Sequence, residues 1–140
     1  MIGSQGEKKV MRYDEIKVGE EFPPLEFMIS EDRVRDYQKV FEDNYDWLRE
    51  GEKKVPPFVS SMDVIAPIFI RYAIAPGTIH AKQELVMLKA VKPGTKLISK
   101  SRVSDKYIKR DKKYVVFETL TKDEDGNPVN INRFHFVLPE

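Results

Sequence analysis

Two histidines, His80 and His135, and the acids at Asp43 and Asp46 are the side chains here best equipped to move protons. A carboxylate can activate water, but proton transfer in both directions is easier beside an imidazole. Neither histidine lies near Asp43 or Asp46 in sequence, so both aspartates also read as solvated loop acids or helix caps. His80 opens a strand-like stretch, TIHAKQE, three residues before Gln83. A hydrogen-bonded histidine holding the start of that strand is the plainer reading. His135 alternates with Arg133 and Val137, opposite Asn132, Phe134 and Phe136, so the phenylalanines should face the core and His135 away from it. No metal site is expected, because the two histidines are far apart and no H-E-x-x-H spacing occurs. The absence of cysteine excludes disulfides, thiolate metal sites and a thiolate nucleophile. The glycines form no phosphate-cradling loop. Asn44 reads as a turn-bracing side chain, since Asn readily stabilises turns.

These residues must be positioned by a small set of elements. Val55–Ala73, VPPFVSSMDVIAPIFIRYA, reads as a central helix that is apolar nearly all round and so buried on nearly all sides. Pro56 and Pro57 lead into it, Ser60 and Ser61 are candidate N-caps, and Pro67 implies a late start or a kink. A second, amphipathic helix is expected over Glu31–Glu42, capped by Ser30, with Val34, Tyr37, Val40 and Phe41 as its apolar stripe. Asp43–Lys54 between the two helices reads as a loop, with a helical turn around Trp47. Glu20–Ser30 reads as a strand broken by Pro23-Pro24. Four strands follow the central helix: Thr78–Val91, Lys96–Lys109, Tyr114–Thr121 and Val129–Leu138. Their turns carry Lys92-Pro93-Gly94, Asp111-Lys112 and Asp125-Gly126, which predicts an antiparallel meander with the helix on one face.

The totals fit one domain over residues 12–140, preceded by a polar tail over 1–11 expected to be mobile. Of 140 residues, 41% are hydrophobic and 34% charged, the balance of a globular chain. The 24 basic and 23 acidic residues nearly cancel, which gives no reason to expect nucleic acid or an anionic membrane as a partner. The N-terminus carries no apolar run of the signal-peptide kind, and a cysteine-free chain suits a reducing cytoplasm. Lys96, Lys100, Arg102, Lys106, Lys109 and Arg110 gather on one hairpin, a pattern that is usually a solvated surface.

Four segments in order resemble the MaoC-like dehydratases, a family with the hotdog fold: a long central helix wrapped by a curved antiparallel β-sheet (α+β). They are YDEIKVGEEFPP (Tyr13–Pro24), VFEDNYDWLREGEKKVPPFV (Val40–Val59), TIHAKQELVMLKAVKPGTKL (Thr78–Leu97) and VSDKYIKRDKKYVVFETLTKDEDGNPV (Val103–Val129). The resemblance is to the type that forms the N-terminal half of double-hotdog enzymes, and it spans nearly the whole chain after the tail. It implies an acyl thioester as ligand, carried on coenzyme A or an acyl-carrier protein, and no further cofactor. Catalytic relatives are (R)-specific enoyl-CoA hydratases or 3-hydroxyacyl dehydratases, in which a carboxylate and an imidazole share the water that is added. The same likeness places Asn44, Trp47, Pro57, Phe58, Ser60, Ser61 and Gln83 among the substrate-binding residues. The end of the central helix near Ser60 and Ser61 would meet the thioester carbonyl. It also makes His80 a polar lining of the tunnel and the basic hairpin a conceivable contact for coenzyme A phosphates.

Here the chain departs from the family's pattern. Catalytic relatives carry D-x-N-P-x-H; aligned on Asn44, this chain has Glu42 at the Asp position, Tyr45 at the Pro and Trp47 at the His. An indole cannot replace an imidazole in proton transfer, so the dyad is incomplete. The expectation is an acyl-binding, catalytically reduced half of a hydratase, in a homodimer or paired with a catalytic hotdog subunit. Two alternatives stand beside it. One is a self-sufficient homodimeric hydratase using Asp43 or Asp46 with His80; the other is a non-enzymatic acyl-CoA-binding scaffold subunit. A hotdog thioesterase fits the loop less well.

Overall fold

In the computed structural model, residues 7–61 and 64–140 are described; Met1–Gly6 and Met62-Asp63 lie outside the described residues. The chain runs β1 (Lys9–Val10), β2 (Leu25–Met28), α1 (Glu31–Phe41), a 3-10 turn (Val59–Ser61), α2 (Ala66–Arg71), β3 (Tyr72–Ala73), β4 (Ile79–Met87), β5 (Lys96–Lys109), β6 (Lys112–Asp123) and β7 (Pro128–Leu138). Five strands form one antiparallel sheet in the order β2-β5-β6-β7-β4. The expected meander holds for β5, β6 and β7 but not for β4, which crosses to the far edge and pairs with β7. The β4–β5 connection carries the reason. Val91 is buried in the core, Val55 N–H donates to the Val91 carbonyl at 2.9 Å, and Gly94 N–H donates to the Ile29 carbonyl at 2.8 Å. That segment is thus held beneath the end of the sheet as a crossover, not folded back as a tight hairpin.

The apolar stretch before β3 is not one long helix. Its α-helical part is the six residues Ala66–Arg71, with Pro67 in the first turn, where a missing N–H costs no helical bond. Ser60 and Ser61 do not cap it: their hydroxyls donate back to the carbonyls of Pro57 (2.7 Å) and Phe58 (2.8 Å) within the 3-10 turn. Burial is one-sided as well. Val64, Ile68 and Tyr72 are enclosed, whereas Ile70 is 73% exposed. Helix α1 follows the expectation more closely, because Ser30 Oγ accepts from the N–H of Arg33 at 3.1 Å and Val34 is fully buried. Its stripe fails at the far end, where Val40 and Phe41 are open to solvent. The expected tail is structured from Lys9 onward: β1 pairs in parallel with β3, and Met11 is buried.

Two apolar clusters fill the inner face of the sheet. In the first, Val64, Ile68 and Tyr72 pack on Val103, Phe117, Phe134 and Phe136. In the second, Val34 of α1 and Val55 and Val59 of the loop pack on Leu97, Val91 and Val129. Between them the same face carries a buried polar band, because Ser99, Thr121 and Asn130 share one register row and Ser101, Thr119 and Asn132 the next. Ser99 and Thr121 hydroxyls bond at 2.6 Å, and Ser101 and Thr119 at 2.8 Å. Such groups are costly to bury unless paired, so the band marks a place where polarity has been kept inside the core.

Candidate functional site

His80 and Gln83 lie on the edge strand β4, on either side of a register shift between His80 and Lys82. The shift lets both side chains reach the same cavity, of about 440 Å³, although they are three residues apart. Its floor is apolar: Phe134 and Phe136 of β7 lie tilted against the His80 ring at centroid distances of 5.8 and 5.0 Å. Ile65 and Phe69 form one wall, and Phe58 and Ser61 of the 3-10 turn the other. The cavity thus unites four sequence-proposed residues, Phe58, Ser61, His80 and Gln83. Among the described residues its lining holds no carboxylate. The imidazole of His80 makes no side-chain hydrogen bond to any described residue, contrary to the expected hydrogen-bonded bracing of the strand.

A second cavity of about 280 Å³ collects Trp47, Pro57 and Ser60, together with Lys54, Leu88 and Lys89. The two cavities are joined by a chain of side chains that sequence reasoning did not single out. Gln83 Nε2 donates to Asn132 Oδ1 (3.1 Å), Asn132 Nδ2 to Asn130 Oδ1 (3.3 Å), and Asn130 Nδ2 to Ser60 Oγ (3.2 Å). Ser60 then donates to the Pro57 carbonyl. Both asparagines are fully buried. The signal for them was present: the alternation that sends Phe134 and Phe136 inward sends Asn132 and Asn130 inward too.

The acids of the loop are elsewhere. Asp43 accepts from the Trp47 indole N–H at 2.8 Å and from the backbone N–H of Tyr45 at 2.9 Å. The Tyr45 bond, followed by that from Trp47, holds the Asp43 carboxyl below the usual aspartate range. Asp46 faces Arg49 at 3.5 Å with both side chains largely exposed, and Asn44 is exposed on the same loop. Neither aspartate lines the His80 cavity. Glu42 ends α1 in the left-handed region, its N–H donating to the Gln38 carbonyl. Tyr45 and Trp47 pack ring to ring at 4.5 Å. The basic hairpin is partly engaged, since Arg102 pairs with Glu118 (3.0 Å), Lys96 with Glu26 (3.5 Å), and Lys106 donates to the Tyr13 carbonyl.

On the opposite face His135 lies between Glu84 and Tyr107, each at 3.2 Å from a ring nitrogen, while Phe134 and Phe136 are buried, as the alternation requires. Among the described residues no group of three metal-ligating side chains occurs, and no helix is long and apolar enough to cross a membrane.

No protein-family model matches the chain, and a comparison with curated proteins finds no match. Solved structures do match. The unliganded R-hydratase PhaJ1 of Pseudomonas aeruginosa superposes with a TM-score of 0.70 at 23% identity, covering 91% of this chain and 85% of that one. The C-terminally truncated HadBC (3R-hydroxyacyl-ACP dehydratase) complex of Mycobacterium tuberculosis gives 0.71 at 16% identity, covering 86% and 96%. A hot-dog-like protein of Thermanaerovibrio acidaminovorans gives 0.65 at 14%, covering 91% and 87%. At such identities the likeness is one of architecture. The five-stranded antiparallel sheet with α2 on its inner face is a hotdog fold.

Proposed function

We propose that this hotdog protein binds an acyl thioester and belongs with the MaoC-like dehydratases. In this reading it is the catalytically reduced half of an enoyl-thioester hydratase or 3-hydroxyacyl dehydratase and works in a cytoplasmic assembly. The observation that carries it is the His80 cavity: apolar walls, one imidazole, one amide and, among the described residues, no carboxylate to pair with the imidazole. Shape and lining suit an acyl chain with a polar head. The loop agrees. The three positions that resemble the family's Asp, Pro and His are a helix terminus, Glu42, and two packed aromatics, Tyr45 and Trp47.

A partner subunit fits the same reading. Among the described residues strand β4 pairs only with β7, and it exposes Ile79, Val86 and Met87 along its length. An unpaired edge of nine residues carrying such apolar side chains is a surface that proteins normally cover. Pairing with the corresponding edge of another hotdog subunit would close the His80 cavity from outside, and that subunit would supply the Asp/His dyad.

Purified protein mixed with a 2-enoyl-CoA should bind it and leave the enoyl thioester absorbance unchanged; a dyad-bearing hotdog subunit should restore hydration. Hydration by the chain alone would overturn the reading in favour of the self-sufficient enzyme. One observation favours that rival: the His80 imidazole is unengaged among the described residues and so available as a base. Asp43 is held by Trp47 and Tyr45, and neither it nor Asp46 lines that cavity, so among the described residues of this chain the rival finds no carboxylate beside His80.

A further inference from the structure

The amide chain between the two cavities runs in one direction, and its end fixes that direction. The Pro57 carbonyl can only accept, so the Ser60 hydroxyl must donate to it. Ser60 Oγ is then left to accept, which obliges Asn130 to present its Nδ2. Asn130 Oδ1 in turn accepts from Asn132, and Asn132 Oδ1 accepts from Gln83 Nε2. Reversing either asparagine would set two donors or two acceptors face to face in a fully buried site, and reversing Gln83 would set its oxygen against Asn132 Oδ1. Gln83 is therefore turned with its amide nitrogen toward Asn132 and its Oε1 free for the cavity. His80, by contrast, imposes no such sign, because a neutral imidazole offers one donor and one acceptor and can exchange them.

We infer that Gln83 Oε1, oriented by Asn132, Asn130 and Ser60, makes the cavity select an acyl chain bearing a hydroxyl over the same chain without one. This rests on the acyl-thioester reading above and adds to it the residue that sets the preference. A hydroxyl is a donor that the fixed oxygen lacks; a saturated chain offers none and leaves that oxygen to water. Asn132 acts through Gln83, so it is a positioning residue that does not touch the ligand.

The test compares 3-hydroxyoctanoyl-CoA with octanoyl-CoA by calorimetry on the full chain. The hydroxylated probe should bind about fivefold more tightly, as expected of one neutral hydrogen bond. Gln83→Met, at an exposed position, removes that oxygen together with the bond to Asn132 and should bind both equally. Asn132→Leu should lose the preference although Gln83 is present, yet should still bind octanoyl-CoA as the unmodified protein does, because Gln83 Oε1 makes no bond to a saturated chain. A purely structural asparagine would instead weaken binding of both probes alike. Equal binding of the two probes by the unmodified protein overturns the inference and leaves the acyl-binding reading intact. Binding of neither probe overturns that reading, and this inference with it.

Discussion

The loop from Glu42 to Trp47 and the cavity under β4 both carry polar side chains, but they spend them differently. In the loop, the Asp43 carboxylate holds an indole and a backbone N–H, Glu42 ends a helix, and Asp46 faces an arginine. In the cavity, the imidazole of His80 lies against the rings of Phe134 and Phe136 and makes no side-chain hydrogen bond to a described residue, and Gln83 is bonded through its amide nitrogen to Asn132. Where polar groups satisfy one another they contribute to the fold. Where the amide chain leaves the Gln83 oxygen at an exposed position without a protein partner, a ligand can take the place of water there. The segment that resembles the family's D-x-N-P-x-H falls on the first region, whereas four of the proposed binding residues meet in the second.

The cavity floor, which belongs to the first apolar cluster and not to the one beside the loop, separates the two regions most visibly. Phe136→Ala should lower stability by about 3–5 kcal/mol in chemical denaturation, because the ring is buried against Phe69 and Phe117 as well as His80. His80→Ala, one layer out, should leave stability within about 0.5 kcal/mol and weaken acyl-thioester binding instead. Equal losses of stability for the two would mean that the histidine is part of the core and the cavity is only a packing gap.

Next in size is the relay. Asn132→Leu strands Gln83 Nε2 and Asn130 Oδ1, and should cost about 1–3 kcal/mol by the same measurement. A neutral outcome would show that the band between the two apolar clusters is not held by its hydrogen bonds. The loop gives the opposite sign. Glu42 sits at φ +53°, a conformation costly for any residue with a Cβ, so Glu42→Gly should raise stability by about 1 kcal/mol. Ligand binding should not change. Loss of binding in that variant would return the loop to the list of working parts.

The sequence made some of this legible and hid the rest for identifiable reasons. Strand β5 was readable over its full observed extent, and the Ser30 cap of α1 was plain, because the turn residues that bound a strand and N-cap chemistry are local signals. The position of β4 was not, since nothing local distinguishes a hairpin from a crossover; burial of Val91 under the sheet decides it. The long helix was over-read for a related cause. The apolar composition of its segment is real, but the serine hydroxyls bond backward, Pro67 starts a new turn, and only one side packs. Four proposed site residues meet in the His80 cavity and three in its neighbour, while Asp43, Asn44 and Asp46 remain on the loop. The asparagines that connect the cavities went unnoticed because an Asn at an inward strand position looks like a lapse in alternation until its partners are seen.

The smallest expected effect probes the loop alone. Trp47 is the single tryptophan, so its emission reports on the Asp43 contact without labelling. Asp43 has a folded-state pKa below its unfolded value, owing first to the Tyr45 N–H and then to Trp47. Its contribution to loop stability is therefore complete above the ordinary aspartate range and is lost only as pH falls through the depressed folded value. Emission should stay constant from neutral pH down through that ordinary range and change below it, with the rest of the fold followed by circular dichroism. Asp43→Asn has one acceptor oxygen for the two N–H groups that Asp43 serves with two, and it carries no titrating charge, so the acid transition should vanish from its emission whichever contact it keeps. If the variant keeps that transition, another acid governs Trp47. The carboxylate would then be free for other work, and the contrast between a committed loop and an open cavity would no longer stand.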